Sequence, residues 1–163
     1  MDFRIRQMQA ADLPGVGACM DAAFGHPYNR DILAHEFKGC HRLNPNGLLV
    51  AVDNEGKVIG TAWGAWNGRR AVVSGLAVHP HNQGQGIARA LMAEVERVFR
   101  PMGVTRLSVE IAPGNESVIP LYEHLGFSLK TGVQSMGKNL NNEDGSPLVE
   151  GVSVDAKEAS VDD

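Results

Sequence analysis

The stretch HNQGQGIARAL, from His81 to Leu91, holds the residues whose spacing points most clearly to chemistry. Gly84 and Gly86 stand two positions apart, directly before a segment whose apolar periodicity predicts a helix. Glycine costs roughly 0.5–1 kcal/mol relative to alanine inside a regular element, so the pair needs a reason. It forms either a tight strand-to-helix turn or a cradle of main-chain N–H groups that binds an anion at the helix N-terminus.

Two familiar phosphate-binding motifs do not fit these glycines. No Gly-Lys-Ser/Thr follows them, which excludes Walker-type nucleotide binding. Gly84 and Gly86 supply Gly-x-Gly, but Arg89 occupies the third position of a dinucleotide fingerprint, and the segment comes in mid-chain. What remains is a strand, a short turn and a helix N-terminus that carries about half a positive charge.

The elements that must position this turn predict an α/β (α+β) fold with a mixed sheet and helices on its faces, in the order βααβββαβαββ. The helix after the glycines buries a stripe formed by Ile87, Leu91, Val95 and Val98 or Phe99. The stretches RLSVEIA and GFSLKTGVQSMGKNL predict further strands, the second stretch giving two strands around Gly132. A short helix is expected from Ser117 to Leu125.

Composition limits the class of protein. The 163 residues suffice for one domain with its own core, and 43% apolar with 21% charged residues is typical of a soluble globular chain. No apolar run approaches a membrane span and the first residues lack a signal-peptide core, so we expect a cytoplasmic protein. Cys19 and Cys40 are expected to be reduced thiols, and no His or Cys pair has metal-ligand spacing.

The charge is unevenly distributed along the chain. From residue 141 onward there are seven acidic residues and one lysine, whereas residues 1–140 carry 14 Lys+Arg against 12 Asp+Glu. The segment also lacks aromatic residues and a periodic apolar face. We therefore predict a folded domain over residues 1–140 and an acidic, disordered tail over residues 141–163.

Two segments together resemble the GCN5-related N-acetyltransferases. LAVHPHNQGQGIARAL resembles the acyl-coenzyme A motif Gln/Arg-x-x-Gly-x-Gly/Ala of that superfamily, with Gln83, Gly86 and Ala88 at its defined positions. NESVIPLYEHLGF resembles its second signature, in the expected order. The resemblance covers roughly residues 3–140 and implies a twisted, mostly antiparallel sheet of six to seven strands with about four helices.

The resemblance also implies a site for acetyl-CoA. Main-chain groups of Leu76 and Val78, on either side of Ala77, would pair with the pantetheine arm. The amides of the turn would surround the pyrophosphate, and Arg89 either reaches a coenzyme phosphate or is a solvated helix residue. Asn115 either fixes the coenzyme arm or caps a helix. The implied coenzyme-binding residues are Leu76, Ala77, Val78, Gln83, Gly84, Gln85, Gly86, Ile87, Ala88, Arg89 and Asn115.

Acetyl transfer from a thioester to an amine needs a neutral amine, a donor for the oxyanion and protonation of the departing thiolate. Tyr122 lies where the family often has its general acid, although Val118, Tyr122 and Leu125 also form an apolar stripe. Glu110 resembles the base of bacterial enzymes that acetylate ribosomal-protein N-termini. A structural salt bridge is the alternative for this mid-strand glutamate.

The acceptor is not named by the sequence. Recognition is expected from FGHPYNRDILAHEF and AWNGRRAV, whose arginines either favour an acidic or phosphorylated acceptor or are surface residues without a specific role. We therefore expect an acetyl-CoA-dependent N-acetyltransferase, without a metal, acting on a primary amine of a small molecule or a protein. Neither a nucleic-acid nor a membrane partner is indicated, and a homodimer stays open. The alternatives are a non-catalytic acyl-CoA sensor and a structural protein that uses its acidic tail.

Overall fold

The computed structural model describes residues 2–138, 140–146 and 148. The strands are β1 (Phe3–Gln7), β2 (Leu48–Asp53), β3 (Val58–Trp66), β4 (Ala71–Val78) and β5 (Leu107–Val109). The α-helices are α1 (Leu13–Phe24), α2 (Arg30–Leu43), α3 (Ile87–Phe99) and α4 (Ile119–His124). The chain divides into two compact units at the Glu110–Ile111 bond, so the five strands and α1 to α3 belong to the first unit and α4 to the second.

The five strands form one sheet in the order of the sequence. β1 to β4 are joined by antiparallel pairing, whereas β4 and β5 run parallel because α3 connects them. The predicted α/β fold with a mixed, mostly antiparallel sheet and four helices is therefore confirmed.

Alternation along the strands divides the core between two layers of helices. Leu48, Val50 and Val52 of β2 point into a cluster with buried residues of α1 and α2. On α3, the residues Ile87, Leu91, Val95 and Phe99 are buried, as the periodicity predicted. A Cβ on Gly60 would lie 3.0 Å from the Ile87 side chain, so this glycine lets α3 pack closely on β3.

The predicted strand count is wrong for the last segment. Residues 125–138 contain no strand, so the described part of the chain has five strands rather than six to seven. The chain does bend at Gly132, which has a φ of 76°. In a strand, Leu129 and Val133 would lie on one face and Met136 on the other. All three side chains are exposed: Leu129 by 65%, Val133 by 72% and Met136 by 97%. The segment thus has no single apolar face to bury, and three glycines weaken its strand propensity.

Two expectations about the rest of the chain have different outcomes. Cys19 and Cys40 are free thiols, the first buried and the second half-buried, and burial raises the pKa of Cys19 to about 11. The boundary at residue 140 stays a prediction, because residues 149–163 of the acidic tail lie outside the described residues. In the part of the chain that is described, every helix is too short or too polar to cross a bilayer.

Candidate functional site

The site is built where β4 loses its parallel neighbour. β5 pairs with β4 only from Ala71 to Val73, and β4 then continues for five residues to Val78. Within the described residues, no strand pairs with that edge of β4 beyond Val73. The separation leaves a main-chain edge free to receive an extended ligand, since an unpaired edge presents N–H and C=O groups in a row.

A β-bulge at Gly75 turns β4 away from β5. The pairs Thr61↔Ala77 and Trp63↔Ser74 place two residues of β4 opposite one residue of β3. Gly75 takes a φ of +57°, and a Cβ there would lie 2.9 Å from Cδ1 of Trp63. The Trp63 indole N–H donates to the Thr61 hydroxyl at 3.1 Å, which fixes the ring against the glycine. Both conformation and space therefore require glycine at this bend.

The glycine-containing turn follows directly at the end of β4. Gly84 and Gly86 have φ of 75° and 82°, the left-handed region that glycine occupies without strain. A Cβ on either residue would meet no atom within 4 Å, so the space in front of the turn is open. The glycines are therefore required by backbone conformation and leave room for a ligand against the main chain.

Among the described residues, the first amides of α3 have no hydrogen-bond acceptor. Gly86 is the N-cap and provides no side-chain cap, and the first helical bond runs from the Ala90 N–H to the Gly86 carbonyl at 3.0 Å. No described residue accepts from the main-chain N–H groups of residues 84–89. Unpaired amides and the helix dipole together favour the binding of an anion at this position.

Charges along α3 reinforce this polarity. Its first turn has no acidic residue, and Arg89 there is exposed without an ion pair or hydrogen bond among the described residues. Near the end of the helix, Arg97 Nε donates to the Glu94 carboxylate at 2.8 Å. Arg100, which directly follows the helix, donates to the Glu96 carboxylate at 2.6 Å. The unneutralised positive charge of α3 is thus concentrated beside the glycine turn.

Several predicted binding residues are positioned through the main chain. The Gln83 side-chain amide donates to the Val78 carbonyl at 3.1 Å, which ties the turn to the end of β4. The Ile87 side chain is buried, so only its N–H can meet a ligand. Ala77 is buried and paired with Thr61, whereas Leu76 is half-buried next to it on the bulged part of β4. Gln85 is exposed in the turn, and Ala88 is half-buried.

Glu110 lies at the point where the two strands separate. The expectation that it stands mid-strand is wrong, because β5 ends at Val109 where its pairing with Val73 ends. Continuing that register places Glu110 next to Ser74, and both are exposed. Glu110 has no ion pair among the described residues, so the structure gives no support to the salt-bridge alternative.

Asn115 and Tyr122 belong to the second compact unit. Asn115 precedes the 3-10 turn Glu116–Val118, but its side chain makes no capping bond. Tyr122 lies in α4, half-buried, with its ring 5.6 Å from that of Phe127 in an edge-to-face arrangement. Partial burial raises the pKa of Tyr122, and its hydroxyl bonds to no described side chain, so the phenol is a protonated donor at neutral pH.

The arginines expected to recognise the acceptor do not gather at this site. Arg30 forms a salt bridge with Asp21 at 2.6 Å, which neutralises its charge. Arg69 and Arg70 lie in the β3–β4 turn, at the opposite end of β4 from the glycines. At about 3.3 Å per residue, the eight-residue strand separates them by roughly 23 Å. The structure therefore offers no basis for an acidic acceptor.

Sequence reasoning missed Gly75, although a glycine inside the apolar run AVVSGLAV is a signal for a bulge. It also missed Glu36 of α2, whose carboxylate accepts a hydrogen bond from the Tyr28 hydroxyl at 2.8 Å. Nothing in the local sequence distinguishes this glutamate from a solvated helix residue.

In the described ranges, no three His, Cys, Asp or Glu side chains are grouped to hold a metal ion.

Comparison with known proteins identifies the family. The model of the acetyltransferase (GNAT) family matches residues 11–127. The acetyltransferase SG1711 from Sodalis glossinidius is 32% identical over 114 residues, which cover 70% of this chain and 78% of that protein.

Solved structures agree on the fold. The ribosomal-protein-S18-alanine N-acetyltransferase from Escherichia coli superposes with a TM-score of 0.65 at 26% identity, covering 80% of each chain. AAC(6')-Iy, in complex with the bisubstrate analogue CoA-S-monomethyl-acetylneamine, gives a TM-score of 0.67 at 23% identity and covers 86% of this chain and 100% of that one. Both solved structures therefore share the fold of this chain.

Proposed function

We propose that this chain, which belongs to the acetyltransferase (GNAT) family, transfers the acetyl group of acetyl-CoA to a primary amine by direct attack in a ternary complex. The observation that carries the proposal is the turn of residues 84–89. Its main-chain amides have no acceptor in the described part of the chain, and it begins a helix without acidic residues in the first turn. The turn also follows directly on β4, the strand that parts from β5. A diphosphate is the anion that such a row of amides fits.

Four groups of residues fit the coenzyme. The amides of residues 84–88 would bind the pyrophosphate, with open space where a side chain would otherwise lie. Arg89, which has no other partner in the described chain, would bind a further phosphate. The main chain of Leu76 and Val78 would pair with the pantetheine arm, as an added strand pairs with a sheet edge. Asn115 would hold that arm by hydrogen bonds.

The chemistry needs one group to accept a proton and one to donate a proton. A bond forms between the amine nitrogen and the acetyl carbon, and the bond between that carbon and sulfur breaks. Glu110 would accept the amine proton, directly or through water, because it is an exposed carboxylate without an ion pair in the described chain. Tyr122 would donate a proton to the departing thiolate, since its raised pKa keeps the phenol protonated.

Two relatives indicate the range of acceptors. The Escherichia coli neighbour is named for an alanine of a ribosomal protein, and the AAC(6')-Iy complex holds an analogue built on a small molecule. Both a protein amine and a small-molecule amine are therefore acceptors to test for this chain.

The experiment is a thiol-release assay with acetyl-CoA and a panel of primary amines that includes peptides, followed by mass spectrometry of the acceptor. We expect amine-dependent release of free coenzyme A and a product heavier by one acetyl group. Tight acetyl-CoA binding with no acetylation of any amine would instead support the acyl-CoA sensor.

A further inference from the structure

The middle of α2 is anchored beside the place where β4 and β5 separate. The Phe37 ring lies edge-on against Trp63, with 6.4 Å between ring centroids. Trp63 in turn packs against Gly75, the bulge that turns β4 away from β5. Glu36 directly precedes Phe37 and so lies in the part of α2 that packs against Trp63.

The α1–α2 connection comes to the same end of the sheet. A Cβ on Gly15 of α1 would lie 3.0 Å from the Val58 side chain at the start of β3. Further along α1, the main chain of His79 faces the Cys19 thiol just after β4 ends. Tyr28 follows this helix and packs against the core cluster that contains Trp63 and Ala77. Its hydroxyl donates to the Glu36 carboxylate at 2.8 Å.

Glu36 differs from the other half-buried carboxylates on the helices. Among the described residues, each of the others is bonded to an arginine; they are Asp21, Glu94 and Glu96. Glu36 bonds to a neutral phenol instead, and no described cation lies within salt-bridge distance. Residues three and four positions away, where a helical partner would stand, are Ile32, Leu33, Gly39 and Cys40.

An uncompensated negative charge in a half-buried place is costly, so it needs a compensating ligand or solvent. The Glu36 carboxylate contributes to raised pKa values at two neighbouring side chains. Burial and then the hydrogen bond to Glu36 raise the pKa of Tyr28, and burial and then the charge of Glu36 raise the pKa of Cys40. The phenol therefore stays protonated and keeps the carboxylate in one position as an acceptor.

We infer that the Glu36 carboxylate, positioned by Tyr28, binds a second positively charged group on the acceptor. The substrate class is then an amine that carries another ammonium or guanidinium group, in a small diamine or in a basic peptide. The inference rests on the proposed function and adds acceptor selection to it. It speaks against the acidic acceptor that the sequence had left open, since Arg30 is neutralised by Asp21 while Glu36 bonds only to a phenol.

The test compares matched acceptors with and without the second charge. One pair is 1,4-diaminobutane and n-butylamine, and the other is a peptide with lysine or norleucine after its first residue. We expect wild-type kcat/KM to favour the charged member of at least one pair roughly 10-fold, as for a charge-assisted hydrogen bond, with the preference falling as salt rises. The pair that responds distinguishes a small diamine from a peptide.

Three variants test whether Glu36 causes the preference for the charged acceptor. Glu36→Gln keeps the size of the side chain and should raise KM for the charged acceptor about 10-fold, with kcat and the neutral acceptor nearly unchanged. Tyr28→Phe should lower the preference by a smaller factor. Glu55→Gln, in the exposed β2–β3 turn, removes the same charge elsewhere and should leave the preference intact.

The outcomes separate the two proposals. Equal rates for both members of both pairs, or a Glu36→Gln variant that loses activity equally on charged and neutral acceptors, overturns the inference and leaves the transferase proposal standing. No acetylation of any amine overturns both. A folded Glu36→Gln variant, shown by an unchanged melting temperature, that keeps the wild-type preference also rejects the inference.

Discussion

The two turns that flank β4 use glycine in different ways. In the turn before β4, Gly68 has a φ of 90°, and the Asn67 side chain accepts from the amides of Arg69 and Arg70 at 2.9 and 2.8 Å. In the turn after β4, Gly84 and Gly86 have similar φ values, but no described residue accepts from the amides of residues 84–89. The Asn67 side chain satisfies amides of the first turn, whereas the amides of the second turn are available to solvent or to the proposed ligand.

The difference teaches that positive-φ glycines alone do not mark a binding site. Neither Gly68 nor Gly86 has an atom within 4 Å of a built Cβ, so open space does not distinguish them either. What distinguishes them is the hydrogen-bond inventory together with the dipole of α3. Amides at a helix N-terminus that no side chain caps are met by solvent in the free protein, and they are available to an anionic ligand.

The largest expected effect comes from Gly86→Glu. The carboxylate would occupy the space before the amides and repel phosphate, so acetyl-CoA binding should fall below detection in a calorimetric titration. Gly68→Glu is the matched control, because it puts the same side chain on a similar φ and costs a similar strain of about 1–2 kcal/mol. Unchanged affinity in a folded Gly86→Glu variant would refute the account of the turn.

Tyr122→Phe should separate turnover from binding. It keeps the ring against Phe127, so stability should hardly change. Loss of the proton donor should lower kcat about 10²–10⁴-fold while acetyl-CoA affinity is kept. Because the pKa of Tyr122 is raised, wild-type activity should not decline through loss of this proton until the pH exceeds the usual phenol range. Full kcat in the variant would make Tyr122 a packing residue.

Glu110→Gln should lower the rate at neutral pH by roughly 10²-fold, the lower end of the range for general base catalysis. Raising the pH should partly restore the rate, since a larger fraction of the amine is then neutral before it binds. A pH–rate profile on one acceptor measures both effects. A defect of the same size at every pH would leave the base unassigned.

Comparing Arg89→Ala with Arg70→Ala tests whether a positive charge contributes to acetyl-CoA affinity only at the turn after β4. Both arginines are exposed and lack ion pairs among the described residues, but only Arg89 lies beside the unpaired amides. Acetyl-CoA affinity should fall roughly 10-fold in Arg89→Ala, as for one charge-assisted bond, and stay constant in Arg70→Ala. Equal effects in both would indicate that the coenzyme responds only to overall charge.

Truncation after residue 140 should have the smallest effect. The removed segment carries a net charge of −6 and no aromatic residue, so it has little apolar surface to bury. We expect the melting temperature and acetyl-CoA affinity to stay nearly constant in differential scanning fluorimetry and calorimetry. A loss of several degrees would show that the tail packs on the folded domain.

The features that could be predicted from the sequence are local. The stripe from Ile87 to Phe99 and the turn at Gly84 and Gly86 follow from periodicity and glycine spacing over a few residues. The end of β5 at Val109 could not be predicted, because it depends on the bulge at Gly75 in another strand. That bulge in turn depends on Trp63, twelve residues earlier in the chain.

Electrostatic roles also required the structure. Arg30 and Glu36 stand six residues apart and look equally exposed in the sequence, yet Asp21 neutralises the first and only Tyr28 meets the second. Pairing of this kind is set by tertiary packing, and composition does not reveal it. The resemblance to the family supplied the roles of Tyr122 and Glu110, which remain predictions.

The most direct test of the central claim is a titration followed by NMR of the backbone amides. Adding acetyl-CoA, and separately inorganic pyrophosphate, to ¹⁵N-labelled protein should shift the amide resonances of residues 84–89 and leave those of residues 67–70 in place. We expect the same group of shifts with both ligands, because the amides would bind the diphosphate in each case. Binding of acetyl-CoA without any change in the amides of residues 84–89 would contradict it.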